Sequence, residues 1–389
     1  MKDHHWTLYL LIWLVCAGVL SGCSRNGASP TPEPIPSPTP ERTPERTPER
    51  TPEPTPERTP EPTSEPTPEP ELGPHLLIAT SGEVFLKREG WKEYVPTSLG
   101  INIQQGDLIR PAEEQSVTIL CADLELHTLK RESGSPCQVE TYILRHGKFP
   151  SIAPKGTSGE IPYIRHPRNT KVLHTQPLLS WYDTGASSYT VSITQGSETV
   201  WQQSGVQGTE LLYPNDAPSL RSGVDYLLSV IDDDSGRRSS EDPARGLGFQ
   251  VLAEEEREEV QAQRDNILAL PLEEPAHHLA LALYYAGQEL RGEALAELEQ
   301  IAPALRSPAI HRWVGELLLA VSLSDDAEDA YQSALDSAIA LGDLETQAAA
   351  HVELWQQRQD GEPHLQAAIK LYEQLGDQTK ADELRQKLP

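Results

Sequence analysis

Cysteine is scarce in this sequence. Four occur in 389 residues, at positions 16, 23, 121 and 137, and no two stand as CxxC. That argues against a zinc ribbon, a thioredoxin-like redox pair and a disulfide-dense scaffold. Basic side chains are also few: 32 Lys+Arg face 59 Asp+Glu, for a formal net charge of -27. From Glu254 to Pro389 there are 27 acidic and 10 basic residues, and from Pro30 to Leu72 there are 10 Glu and 4 Arg. Neither stretch attracts a phosphate backbone or an anionic bilayer by charge, so nucleic acid is not an expected partner. Catalytic signatures are missing as well. There is no GxSxG, Walker loop, GxGxxG after a strand or HExxH, so a non-enzymatic protein with no cofactor, no metal and no catalytic residue is expected. The apolar run at residues 7–22, "TLYLLIWLVCAGVLSG", is short for a membrane span and suits the core of a signal peptide.

What is abundant is proline, and it is concentrated. Of 34 prolines, 17 lie between Pro30 and Pro74, where a four-residue unit recurs as TPER, TPEP and TSEP. Proline removes backbone donors and holds its predecessor extended, so helix and sheet are both excluded there. With hardly any apolar side chains, the tract cannot offset its ordering entropy. Residues 23–73 are therefore expected to be a disordered, polyproline-type tether, in which the stretch from Pro30 to Leu72 reaches on the order of 130 Å at ~3.1 Å per residue.

Just before it, Leu20-Ser21-Gly22-Cys23 resembles the bacterial lipobox. The resemblance implies cleavage after Gly22, removal of residues 1–22 and a lipid on Cys23. The protein is then expected in the bacterial cell envelope, anchored by lipid. With Ser24 after the cysteine, that is the outer membrane facing the periplasm in a Gram-negative cell, and otherwise the extracytoplasmic membrane face. Cleavage also discards Cys16. In that oxidising setting Cys121 and Cys137 form the expected disulfide, with buried free thiols as the alternative.

Beyond the tract the pattern becomes β-rich. Short runs alternate with turn signals at Ser81-Gly82, Leu99-Gly100 and Gly106-Asp107. Gly82-Glu83-Val84, Trp91, Gly100, Gly106-Asp107-Leu108-Ile109-Arg110 and Ser116–Leu120 resemble the FecR-like domain of bacterial envelope proteins. This resemblance implies a small all-β domain over residues 74–152. Some members of that family regulate sigma factors from a cytoplasmic segment. Only six residues precede the apolar run, so that role is not expected.

Over residues 153–253, Leu179 and Trp181 alternate, as do Tyr189, Val191 and Ile193, and Tyr226, Leu228 and Val230. This period of two, with frequent turns, predicts an antiparallel sandwich similar to immunoglobulin or fibronectin type III modules. Trp91, Trp181 and Trp201 are open to two readings, core packing or a sugar platform. Asp232-Asp233-Asp234-Ser235-Gly236 reads as an acidic hairpin turn rather than a calcium loop, since no bidentate Glu is placed by a motif.

From residue 254 to 389 the period is helical. "HHLALALYYAGQELRGEALAELEQI" matches "HRWVGELLLAVSLSDDAEDAYQSAL" at an offset of 33, pairing Ala282 with Gly315, Ala294 with Ala327 and Leu298 with Tyr331. Leu341-Gly342-Asp343 recurs as Leu375-Gly376-Asp377 at 34. The pattern is similar to tetratricopeptide repeats, in about three irregular units over residues 270–388. His277 and His278 are expected at the surface. The expected whole is multidomain: two all-β modules, then a helical solenoid. The function expected is a scaffold holding an envelope protein partner on the helical repeats, with the membrane met through Cys23. Cell-wall glycan bound by the β modules is the alternative.

Overall fold

The computed structural model describes residues 74–137, 160–242, 248–358 and 361–388. The expected signal segment, Cys23, the Pro-rich tract and the module boundary at 152/153 lie outside the described residues.

The first module comprises β1 (Leu76–Thr80), β2 (Val84–Lys87), β3 (Val95–Thr97), β4 (Leu108–Pro111), β5 (Val117–Leu120), β6 (Leu126–Leu129) and β7 (Ser133–Gly134). They form two antiparallel sheets of order β1-β5-β6 and β3-β2-β4-β7. One core fills the space between them, with Leu77, Val84, Leu86, Ile109 and Ile119 all buried. In β1 successive side chains face opposite sides. Leu77 points into that core, whereas Leu76 and Ile78 join Leu120 in a second cluster made mostly of helix residues. The sheet is thus covered on both faces.

The second module comprises β8 (Ile164–His166), β9 (Thr170–Val172), β10 (Leu178–Trp181), β11 (Tyr189–Gln195), β12 (Glu198–Val206), β13 (Glu210–Leu212), β14 (Asp225–Asp232) and β15 (Phe249–Val251). Its sheets run β13-β10-β8 and β12-β11-β14-β15-β9, antiparallel except for the β15–β9 pair. The period-two residues converge between them: Leu179, Trp181, Tyr189, Val191, Ile193, Tyr226, Leu228 and Val230 share one core. Trp181 and Tyr189 meet edge to face at 5.5 Å.

The helical region contains α1 (Glu254–Leu268), α2 (Glu274–Gly287), α3 (Arg291–Gln300), α4 (Pro308–Ala320), α5 (Ser324–Leu341), α6 (Leu344–Gln357), α7 (Glu362–Leu375) and α8 (Gln378–Arg385). The repeated Leu-Gly-Asp does the same job twice. Gly342 and Gly376 end α5 and α7 at φ 75° and 96°, a left-handed conformation that costs a glycine little. The next residue caps the following helix: Asp343 accepts from the Thr346 N–H at 3.0 Å, and Asp377 from that of Lys380 at 3.1 Å.

Small residues let consecutive helices close up. A Cβ on Gly315 would stand 2.6 Å from the ring of Tyr331, which is fully buried on α5. Gly315→Ala should therefore destabilise the protein by about 1–3 kcal/mol through overpacking, despite a helix-propensity gain of about 1 kcal/mol. Urea unfolding measures the sum, and a stabilised variant would show that the α4–α5 contact is loose.

The modules are packed together. Helices α2, α4 and α6 all meet the first β module, α2 at β1 and α6 at β3. On α4, Trp313 Nε1 donates to Gly100 O at 2.8 Å. The Lys92 N–H donates to Leu375 O at 2.9 Å, and Trp91 is buried among Ala348, Leu365 and Tyr372. The second module is tied to α3 and α4: Lys171 N donates to Glu289 O at 3.0 Å, and Asn169 Nδ2 to Ala320 O at 2.7 Å.

Candidate functional site

Among the described residues, two of the places that combine polar chemistry with burial lie between a β module and the helices. The first is built on Arg88, at the end of β2. Its Nη1 is 2.7 Å from Asp107 Oδ2, its Nε is 2.6 Å from Glu345 Oε1, and its Nη2 donates to Asn102 O at 3.0 Å. Exposure is 7% for Arg88, 1% for Asp107 and 8% for Glu345, so the triad is inside the protein. Asp107 also accepts from Gln104 N at 2.8 Å, which shapes the Gly106-Asp107 turn. Burial pushes the Asp107 carboxyl up to about 6 against the pull of Arg88. Behind Glu345, Arg312 stands 3.5 Å from Glu316. Burial and the charge of Glu316 raise Glu353 to about 7. This charge layer fastens the first β module to α4 and α6.

The second place is a cleft of about 410 Å³ between the outer face of β13-β10-β8 and the α3–α4 helices. Strand alternation that sends Leu179 inward sends Leu178 outward, paired in register with Leu212 on β13. These two leucines are 44% and 59% exposed on the sheet side, and Leu295 and Leu318 line the helix side. Gly292 on α3 has no side chain where the His166 ring stands, which lets the helix approach β8. Burial lowers the His166 imidazole to about 4.

Charge in this cleft is uneven. Arg168 is fully engaged: Nη1 with Asp242 at 2.6 Å, Nε with Val321 O at 2.7 Å and Nη2 with Ser322 O at 3.3 Å. Arg165 is 4.0 Å from Glu299. Glu293, on α3, accepts from Leu173 N at 2.8 Å through Oε1, while its buried Oε2 has no partner among the described residues. Burial raises this carboxyl to about 7.

The residues singled out in the sequence fall elsewhere. Cys23 is outside the described residues. Cys121 and Cys137 are bonded to each other, with Cα atoms 5.5 Å apart. His75 lies close enough to complete a three-ligand set with them. However, its Nδ1 accepts from Ala122 N at 3.0 Å and both sulfurs are used by the disulfide. The acidic turn is internally satisfied: Asp232 accepts from Thr184 Oγ1, Asp233 from Ser188 Oγ and Thr190 Oγ1, and Asp234 from Ser187 Oγ. Trp91 and Trp181 are 4% and 1% exposed, so neither offers a face to a sugar, and Trp201 packs on Tyr213 at 5.2 Å. His277 is partly buried, bonded to Leu270 O at 3.0 Å, and His278 is partly buried against Glu297 at 2.7 Å. That places both further inside than the surface position expected for them.

Sequence reasoning did not find Arg88, Glu345, Glu293 or the cleft. The glycine in the first turn of α3, Gly292, was the available signal that something comes close there.

The class these features define is a β-sheet region followed by eight described helices, the two packed as one body. No protein-family model matches the chain, and no curated protein matches it. Among the described residues no helix is long and apolar enough to cross a membrane.

Proposed function

We propose that this chain is a lipid-anchored bacterial cell-envelope protein that serves as a non-enzymatic scaffold. It has a FecR-like module, an immunoglobulin-like or fibronectin type III-like sandwich and a tetratricopeptide-like helical array on a Pro-rich tether. The observation that carries the reading is the helical array itself, whose helices pair through repeated Gly-Asp junctions and are locked to the first β module by the buried Arg88 triad. A rigid body on a stiff spacer presents a fixed surface at a distance from the bilayer. The first β module takes α2, α4 and α6 and reaches α7 through Trp91, and the second packs on α3, so the protein partner meets α5. Ile339 on α5, 57% exposed, lies on that surface. A glycan-binding role has less support, given two buried tryptophans of three.

Two measurements test the reading separately. Mass spectrometry of the mature N terminus should find Cys23 first and carrying lipid, and an intact Met1 or an unmodified Cys23 overturns the anchor. A photo-crosslinker at Ile339 in intact cells should give a discrete protein adduct. Its absence there, with an adduct instead from the sheet of β12, would move the partner to the β modules.

A further inference from the structure

The cleft between β13-β10-β8 and α3–α4 has the composition of a ligand site, and its chemistry selects an occupant. Its walls carry an aliphatic patch, with Leu178 and Leu212 on the sheet side and Leu295 and Leu318 on the helix side, among charged and polar residues. Its volume of about 410 Å³ falls in the range of small-ligand sites. Of the cationic lining residues, buried Arg168 is held by Asp242 and two carbonyls, while Arg165 is an exposed side chain at the rim, 4.0 Å from Glu299. Two carboxylates remain without a cationic partner among the described residues, Glu210 on β13 and Glu293 on α3. A buried carboxylate oxygen with no donor, such as Glu293 Oε2, is costly until a donor arrives. An anion would meet the wrong charge, and a purely apolar molecule would leave Glu293 as it is.

We infer that this cleft binds a primary ammonium group carried on an unbranched aliphatic stem, with the stem between the leucines and the ammonium donating to Glu293 Oε2. A lysine side chain and a free alkylamine share that chemistry. The inference rests on the cleft alone and holds or fails independently of the membrane anchor and of the scaffold role.

Isothermal titration of the full-length protein with hexylamine, hexanoate and N-acetyl-lysine methylamide decides it. Hexylamine or the lysine derivative should bind and hexanoate should not. The tighter of the two amines identifies the source as a free amine or a protein side chain, and either supports the site. Glu293→Gln keeps the shape of the protonated acid and should weaken binding about tenfold or more, the loss of one charge-assisted hydrogen bond. Leu212→Lys, at an exposed position that does not test folding, should place a competing ammonium in the mouth and abolish binding. Equal binding of hexanoate, no binding of either amine, or unchanged affinity in both variants overturns the assignment.

Discussion

Arg88→Met should cost the folded protein about 3–5 kcal/mol at pH 7.5, the effect expected when one partner of a buried ion pair is removed. The side chain it replaces serves two modules at once: Asp107 in the first β module and Glu345 in the first turn of α6. Methionine fills much of the volume but strands two carboxylates that are 1% and 8% exposed. The loss should shrink at pH 5, because Asp107, whose carboxyl burial pushes up to about 6, is then protonated and one of the two stranded charges is gone. Adding Asp107→Asn and Glu345→Gln to Arg88→Met should recover most of the stability for the same reason. Urea unfolding of the variants at the two pH values measures both statements. A cost under about 1 kcal/mol at pH 7.5, the size of a surface pair, would mean that Arg88 does not fasten the modules.

Some of this architecture was legible in the sequence, because local rules produced it. Tyr189, Val191 and Ile193 alternate because a strand has a period of two, and all three are buried in one core. Leu341-Gly342-Asp343 reads as a stop and a start because glycine takes the left-handed cap and aspartate the next helix N-cap, and both do. The Gly106-Asp107 turn was visible as a turn. Its second use, as a buried counterion, was not. Arg88 sits in "LKREGW", which reads as a solvated charge run, and its partner Glu345 is 257 residues away. No periodicity reports a contact of that separation. The uninterrupted apolar start of β1, Leu76-Leu77-Ile78, did carry a hint, since a strand with one wet face alternates. It indicated cover on both faces without naming the helices that supply it. For the cleft, the local signal was Gly292, and it pointed to a close approach rather than to a ligand.

Glu353→Gln should stabilise the protein at pH 7.5 and have little effect at pH 4.5. Burial and the neighbouring Glu316 raise the folded carboxyl to about 7 from an ordinary value of 4.5. A raised acid holds its proton longer folded than unfolded. Its contribution is therefore intact below the unfolded value and is lost as pH climbs to about 7. Glutamine copies the protonated form, so the variant escapes that loss. Each tenfold difference in proton affinity between the folded and unfolded carboxyl is worth about 1.36 kcal/mol, so the gain above pH 7 is on the order of 2–3 kcal/mol after partial solvent access is allowed for. Glu293, raised to about 7, and Asp107 and Asp343, raised to about 6, act in the same direction. The bare stability curve will not display this cleanly. Burial holds His166 and His351 down at about 4, and a lowered base loses stability as pH falls from 6.5 toward that value. Over that acidic range the two families of groups oppose each other, and only the difference between variant and parent isolates Glu353. Thermal or urea unfolding of both proteins between pH 4.5 and 8 supplies that difference. A gain that is flat across the range would assign the effect to packing, and a loss at pH 7.5 would mean that Arg312 holds the ionised carboxylate more tightly than its burial repels it.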